Sequence, residues 1–139
     1  MRLRLAPLLS FALLIPPVPA DSLYQRLGGD AGVAAITADL LAASTRDPAT
    51  RGSFVKVDLR RLQRMLAEHL CHLSGGPCQY TGDTMKQVHG GLGISEAAFY
   101  AMVENLRNVL DAHQVAQADK NALLAILAPM KRDIVEYKR

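Results

Sequence analysis

Residues 70–94 read LCHLSGGPCQYTGDTMKQVHGGLGI, and the order of breakers and apolar residues in this stretch indicates the fold. Three glycines and a proline fall within residues 75–82, which is too many breakers for a continuous helix. A short periodic segment follows, in which Met85 and His89 stand four residues apart on the apolar side. The pattern predicts that a long helix ends before the glycines and that a short helix after them carries His89 on its apolar side.

Outside this stretch, apolar stripes at three- and four-residue steps predict further helices. The clearest stripe follows Asp58, a candidate N-cap, and runs to Leu73. The other stripes cover residues 32–41, 99–110 and 123–134, the last with a kink expected at Pro129. No useful run alternates with period two. The predicted class is therefore all-α, and residues 42–57 are expected to be irregular.

Residues 1–20 have the layout of a secretory signal peptide. Two arginines precede an apolar run, and Val18-Pro19-Ala20 ends it with a small residue where a peptidase would cleave. A membrane anchor is the alternative, but the run is shorter than the roughly 20 residues that span a bilayer. We therefore expect the export machinery to recognise this signal and to deliver a mature domain, residues 21–139, to the periplasm.

The charge balance depends on that cleavage. The chain has 139 residues and a formal charge of +3, and the signal contains two Arg and no acidic residue. The mature part keeps 14 Lys and Arg against 13 Asp and Glu, a net charge of +1. A net charge of +1 is no electrostatic footprint for nucleic acid, so we expect no nucleic-acid partner. The length favours a single domain.

The two cysteines, Cys71 and Cys78, leave two interpretations open. In an oxidising compartment an even number of cysteines favours a disulfide. Seven helical residues span about 10.5 Å, which is beyond disulfide reach, so a bond requires the helix to stop between the cysteines. The breakers at residues 74–77 would allow that stop. A pair of buried free thiols is equally compatible with the sequence.

Two histidines lie on apolar stripes. On the long helix His69 falls within roughly 20° of Leu62, and His89 occupies the apolar side of the short helix. A single histidine on an apolar face is more often a satisfied core residue than a ligand. Here, however, glycines and a methionine surround the imidazole, and such a set could wall a flat hydrophobic cofactor such as haem. Zinc, nucleophilic-triad and phosphate-loop motifs are absent from the sequence. His72 and His113 are expected at the surface.

From Ser22 to Val135 the chain resembles the group 1 truncated haemoglobins. The first shared motif is Ser22-Leu23-Tyr24-x-x-Leu27-Gly28-Gly29. The others are Gly75-Gly76-Pro77, Tyr80-Thr81-Gly82, Met85 four residues before His89, and Leu127-Ala128-Pro129-Met130. Each motif is weak alone, but their joint order and spacing are specific.

The resemblance implies a two-over-two helical sandwich around one haem b, with His89 as the proximal ligand of the iron. It also implies that Phe54 packs on the haem face and that Tyr80 lies near the haem edge. The other implied contacts are Leu62, Leu66, His69 and Leu70 on the distal side and Met85 and Leu92 on the proximal side.

Two departures from the family pattern bear on chemistry. Many relatives have Tyr where this chain has Leu41, and Gln or another polar residue where it has Leu66. The distal side is therefore expected to be apolar, with His69 the only nearby hydrogen-bond donor. A donor stabilises bound dioxygen by roughly 1.5–3 kcal/mol, so we expect faster oxygen release or faster oxidation to ferric haem than in donor-bearing relatives. Some relatives carry at the position of Met65 a histidine that can bind the iron as its sixth ligand. Methionine can also bind haem iron, although Met65 as a flexible core residue is the simpler interpretation.

These expectations describe an exported haem protein that reversibly binds oxygen, NO or CO at a pentacoordinate iron. One alternative is a nitric oxide dioxygenase or peroxidase-like enzyme, which would need an external electron donor. Another is an electron-transfer protein with Met65 or His69 as sixth ligand, and a helical domain without cofactor is the last. We expect a monomer or a weak dimer. Only 5% of the residues are aromatic, so a haem would serve as the large flat filler of the core.

Overall fold

The computed structural model describes residues 21–137, and their regular elements are all helical, as predicted. The helices are α1 (Leu23–Arg26), α2 (Gly29–Arg46), α3 (Leu59–Leu73), α4 (Met85–His89), α5 (Glu96–Ala112), α6 (Gln117–Leu127) and α7 (Lys131–Ile134). Two 3-10 turns, Arg51–Phe54 and Ala128–Met130, complete the list. None of the described helices has the length and hydropathy needed to cross a membrane. The predicted signal peptide lies outside the described residues.

Short polar side chains fix the starts of four helices. Ser22, Asp58, Thr84 and Ser95 accept hydrogen bonds from first-turn backbone N–H groups of α1, α3, α4 and α5, respectively. In α4 the side chain of Gln87 also accepts from the backbone N–H of Thr84, which completes a capping box. Because α4 has only five residues, this box defines most of its geometry.

The hydrophobic core surrounds α2, which packs against α3 and α5. Val33, Ile36 and Leu40 form the buried face of α2. Leu110 of α5 and Leu123 of α6 join the same cluster with no exposed surface. Burying each of these aliphatic side chains stabilises the fold by about 1.5–3 kcal/mol relative to leaving it exposed to water. This core holds together the long helices, on whose inner faces the site is built.

Helix α2 is longer than the sequence pattern indicated. The prediction of helix at residues 32–41 and irregular structure at 42–57 was wrong at both ends, because α2 begins earlier and continues to Arg46. Beyond Leu41 small residues remove the apolar periodicity, yet alanine favours helix. The Thr45 hydroxyl also donates to the carbonyl of Leu41 (2.8 Å). A 3-10 turn then occupies part of the stretch predicted to be irregular.

Cys71 and Cys78 form a disulfide, with Cα atoms 5.8 Å apart. Helix α3 ends at Leu73, between them, as a bond required. Gly76 leaves room for this arrangement, because a Cβ there would lie 2.6 Å from the Cys71 Sγ and 2.8 Å from the ring of Tyr24. The interpretation as free thiols is therefore wrong for this structure.

The C-terminal segment supports α4 from outside the core. The predicted break at Pro129 is confirmed, since a 3-10 turn separates α6 from α7 there. Helix α7 packs against α4. The backbone N–H of Glu136 donates to the carbonyl of Ile94 (2.9 Å), and the Glu136 carboxylate accepts from the N–H of Gly91. These contacts hold the short helix that carries His89.

Candidate functional site

A cavity of about 640 Å³ lies between α2, α3, α4 and α5. Its volume falls in the range of about 300–1,000 Å³ that is usual for cofactor and ligand pockets. All nine predicted site residues line it, namely His89, Phe54, Leu62, Leu66, His69, Leu70, Tyr80, Met85 and Leu92. The fold therefore gathers every one of them around a single space.

Helix α4 presents the imidazole of His89 to the cavity. Its Nδ1 donates a hydrogen bond to the carbonyl oxygen of Met85 (2.8 Å). Because a carbonyl oxygen only accepts, the neutral ring carries its proton on Nδ1 and leaves the lone pair of Nε2 free. An imidazole with one nitrogen held by the backbone and the other free is in the form that binds a metal ion.

His69 of α3 lines the same cavity without a polar partner. Among the described residues it alone has buried side-chain nitrogen or oxygen atoms that lack a hydrogen bond, and both ring nitrogens do so. Burial lowers the pKa of the His69 imidazole, and the neighbouring His72 lowers it further, so the ring is neutral at neutral pH. An unpaired buried polar group costs about 1–3 kcal/mol. His69 therefore brings two unsatisfied polar atoms to the wall of the cavity.

The loop between α3 and α4 places Tyr80 against His69, with the ring centroids 4.4 Å apart. The Tyr80 hydroxyl donates to the backbone carbonyl of Asp83 (2.7 Å). Burial raises the pKa of this phenol, which therefore stays protonated at neutral pH. A Cβ on Gly82 would lie 2.5 Å from the Tyr80 hydroxyl oxygen and 2.6 Å from the ring. The Tyr-Thr-Gly motif thus has a packing reason.

The walls formed by α2 and α3 are apolar around His69. Leu41, Leu62 and Leu66 all line the cavity. Met65, one helical turn before His69, lines it too. The nearby hydroxyl of Thr50 donates to the carbonyl of Ser44 (2.6 Å), so it is already engaged. His69 therefore remains the donor candidate that the sequence suggested for this side.

Two groups of lining residues were not predicted. The first is apolar and comes from α5 and the C-terminal segment: Phe99, Met102, Val103, Leu106, Met130 and Ile134. The helical periodicity of these apolar residues was visible in the sequence. Periodicity alone does not show whether an apolar helix face packs into the core or lines a cavity. The second group is charged and exposed where the cavity opens, and it comprises Lys56, Asp58, Arg61 and Asp83. The carboxylate of Asp58 is engaged in capping α3.

The two remaining histidines do not line the cavity. His72 is exposed, as predicted, and its Nδ1 donates to the carbonyl of Cys78 (3.2 Å). His113 was also expected at the surface, but it is less exposed than that prediction implies. It is half-buried, with its Nε2 2.7 Å from a carboxylate oxygen of Asp39, because packing of α2 against α5 brings these distant residues together.

One compact cluster of potential metal ligands exists among the described residues outside the cavity. Asp30, Cys71 and Cys78 place one ligand atom each within 4.8 Å of the others. The two sulfur atoms are joined in the disulfide and are not thiolates, so the cluster does not offer a metal site.

A sequence model of the bacterial-like globins matches residues 22–136. The chain belongs to this globin family, as a truncated haemoglobin. The globin is 30% identical over 113 residues to a group 1 truncated haemoglobin of Mycolicibacterium paratuberculosis, covering 81% of this chain and 83% of that one. It is 25% identical over 115 residues to the group 1 truncated haemoglobin of Tetrahymena pyriformis, covering 83% and 95% of the two chains.

The structure agrees with these similarities. The crystal structure of the Tetrahymena pyriformis truncated haemoglobin in its Fe(III) form matches the globin with a TM-score of 0.80 at 24% identity. The match covers 84% of this chain and 100% of that one. The predicted family and the two-over-two helical fold are thereby confirmed.

Globins bind haem, and the cavity of this globin fits that group. One wall carries the free Nε2 of His89, and most of the rest is aliphatic or aromatic. Val88 and Leu92 line the cavity yet are 40% and 50% exposed, so a flat apolar group in the cavity would cover surface that is otherwise open to water. Lys56 and Arg61 add two positive charges to the lining, which could pair with the carboxylates of a haem.

Proposed function

We propose that this globin is an exported protein that binds dioxygen or another diatomic gas at a pentacoordinate haem b. The observation that carries the proposal is the free Nε2 of His89 in an otherwise apolar cavity. A bound haem would supply an iron that binds gas reversibly when ferrous. The protein's part is to hold that iron and to shape its surroundings.

His89 would hold the iron from the proximal side through Nε2. The hydrogen bond from Nδ1 to the Met85 carbonyl keeps the ring in one tautomer and one orientation. Met85 and Leu92 would pack on the same side, and the haem carboxylates would pair with Lys56 and Arg61.

On the distal side, Leu62, Leu66 and Leu70 would exclude water, with Phe54 against the haem face. Tyr80 would lie at the haem edge. Leu41 and Leu66 provide no hydrogen-bond donor, so a gas ligand would be stabilised only by whatever His69 contributes. We expect fast oxygen release or fast oxidation to ferric haem, and a slow release rate that His69→Leu leaves unchanged would contradict this.

The test is spectroscopic. The chain expressed from Asp21 onward is reconstituted with haem, and absorption spectra are recorded in the ferric, ferrous, ferrous-oxygen and ferrous-carbonyl states. We expect stoichiometric haem uptake and a five-coordinate ferrous spectrum that changes on adding carbon monoxide. Failure to take up haem would overturn the proposal.

A second candidate function is electron transfer with an internal sixth ligand. His69, whose ring nitrogens have no hydrogen-bond partner, and Met65 both line the cavity and favour this alternative. It predicts a six-coordinate low-spin ferrous spectrum without added ligand. Met65→Ala and His69→Ala would then identify the ligand, because only one of them should restore the five-coordinate form.

Two observations support export to the periplasm. Residues 1–20 have the pattern of a cleavable signal, and the disulfide between Cys71 and Cys78 is of the kind that persists in oxidising compartments. Fractionation of cells that express the full chain, with N-terminal sequencing of the mature protein, tests the proposal. We expect a periplasmic protein that begins at Asp21, and a cytoplasmic protein that retains Met1 would overturn it.

A further inference from the structure

Positive charge is concentrated beside the opening of the cavity. Residues 51–64 contain Arg51, Lys56, Arg60, Arg61 and Arg64 but only one acidic residue, Asp58. This segment has a net charge of +4, whereas the rest of residues 21–139 has nine basic and twelve acidic side chains and a net charge of −3. The near-neutral total therefore hides a strongly dipolar distribution.

These five cations, called here the basic patch, are free to meet a partner. All five are exposed, and none forms a salt bridge within the described part of the chain. The one acidic residue of the segment, Asp58, accepts hydrogen bonds from the backbone N–H groups of Arg60 and Arg61 as the cap of α3. Elsewhere in the described chain, Arg26, Lys120 and Lys131 are each paired with a carboxylate.

The basic patch adjoins both the cavity and an exposed apolar surface. Lys56 and Arg61 line the cavity opening, and Arg60 and Arg64 continue the charge along the solvent side of α3. Val55 is 77% exposed and Leu59 41% exposed within the same segment. Exposed apolar side chains ringed by charges of one sign are typical of transient docking surfaces, which bury less than about 1,200 Å² in weak redox complexes.

We propose that the basic patch docks a small acidic protein that carries a one-electron redox centre and reduces the ferric haem of this globin. The inference rests on the proposed function. In the reaction, the reduced centre of the partner loses one electron, ferric iron gains it and becomes ferrous, and no bond is made or broken. The enzymatic alternatives, nitric oxide dioxygenation and peroxidase-like turnover, would need the same external electron.

Charge complementarity favours a protein over a membrane surface as the occupant. A patch of +4 on a molecule that is otherwise −3 would orient the globin so that the cavity opening faces an acidic partner during encounter. An electron donor that docks here would lie against residues that also line the cavity, namely Lys56 and Arg61. A membrane would gain little apolar burial, since Val55 is the one large apolar side chain of the segment with more than half of its surface exposed.

The experiment compares two charge-reversed variants of the haem-loaded globin. R60E/R64E changes two cations of the basic patch that do not line the cavity. Glu at position 60, in the first turn of α3, also suits the helix dipole. R107E/R132E makes the same change in net charge at two exposed cations elsewhere, also away from the cavity. The probe is an acidic plant-type [2Fe–2S] ferredoxin.

Two readouts are taken at low and at physiological ionic strength. Fluorescence anisotropy of the labelled, oxidised ferredoxin measures binding, and stopped-flow absorbance measures reduction of ferric haem by the reduced ferredoxin. We expect R60E/R64E to weaken binding and slow reduction at least tenfold at low ionic strength, and R107E/R132E to change either by less than about threefold. Reduction by neutral reduced riboflavin should be unchanged in both variants.

If both variants lost binding and reduction rate equally, net charge alone would explain the effect and the proposal would be overturned. The proposal would also be overturned if neither variant lost binding or reduction rate. Binding to phosphatidylglycerol vesicles that R60E/R64E abolishes, with ferredoxin binding unaffected, would assign the patch to a membrane and also overturn it. A preparation without a haem absorption band contradicts the proposed function instead. The anisotropy titration still decides whether the basic patch binds the acidic protein in that case.

Discussion

His69 and His89 share one cavity, but their surroundings give the two imidazoles different chemistry. His89 has a backbone carbonyl on Nδ1 and a free Nε2, which suits a metal ligand. His69 has no partner on either nitrogen, and burial keeps it neutral. The sequence could show that both lie on apolar faces, but it could not show which one has a hydrogen-bonded ring.

Replacing Leu66 tests whether the distal side lacks a donor. Leu66→Gln places an amide N–H in the apolar wall, and a hydrogen bond worth roughly 1.5–3 kcal/mol should slow oxygen dissociation from the ferrous protein by about 10- to 150-fold. Stopped-flow displacement of oxygen by carbon monoxide measures the rate. Leu66→Met is the matched apolar control and should leave the rate within about threefold. Equal rates in Leu66→Gln and the wild type would show that another donor already acts.

The buried imidazole of His69 should make stability depend on pH. Its pKa is lowered by folding, so below the ordinary value near 6.5 the unfolded chain binds a proton that the folded chain does not. The contribution of the neutral ring is therefore complete above pH 6.5 and is lost as the pH falls toward the lowered pKa. Urea unfolding of the wild type and of His69→Leu between pH 7.5 and 5 measures this. We expect the difference between the two proteins to shift in favour of His69→Leu on acidification, and a constant difference would contradict the mechanism.

At the scale of elements, the link between α3 and α4 is the part of the fold that the sequence motifs predicted best. The sequence predicted the end of α3, the glycine-rich loop and a short helix with His89, and the structure has each of them. Fixed local requirements explain this success, such as the room needed at Gly82 beside Tyr80. The end of α2 was missed because small residues give no apolar period, although they continue the helix.

Gly82→Ala should disturb this link by crowding Tyr80. The added Cβ meets the phenol at 2.5–2.8 Å, and overpacking of this kind costs typically 1–3 kcal/mol. Gly52→Ala is the matched control, because a Cβ there meets nothing within 4 Å. Urea unfolding should show a loss for Gly82→Ala and little change for Gly52→Ala. The same stability in both variants would mean that Tyr80 is not held as described.

The disulfide should stabilise the same link. Cys71 and Cys78 close a short loop, for which chain-entropy arguments give about 2–3 kcal/mol. We expect Cys71→Ser/Cys78→Ser to lose an amount of this order in urea unfolding, and dithiothreitol to lower the wild type to the same level. Mass measurement of the unreduced wild type should show no free thiols. Two free thiols in protein purified without reductant would contradict the crosslink.

At the scale of the whole molecule, the haem completes a structure that the chain leaves open. Helix α4 buries none of its residues, and the cavity beside it is lined by side chains from α2, α3 and α5 as well. The fold class could be predicted, and so could the nine residues that line one cavity, because helical periodicity and family motifs are local in sequence. The pairing of Asp39 with His113 could not be predicted, because it arises only when α2 packs against α5. The charges of the basic patch are local in sequence, but their position beside the cavity is not.

The absorption spectrum of His89→Gly, recorded with and without added imidazole, tests the proposed haem ligation most directly. The wild type should take up haem and give a five-coordinate ferrous spectrum. His89→Gly should lose that spectrum, because the iron has no proximal nitrogen, and should regain it when free imidazole enters the vacated space. A His89→Gly spectrum identical to that of the wild type without imidazole would show that His89 does not bind the iron.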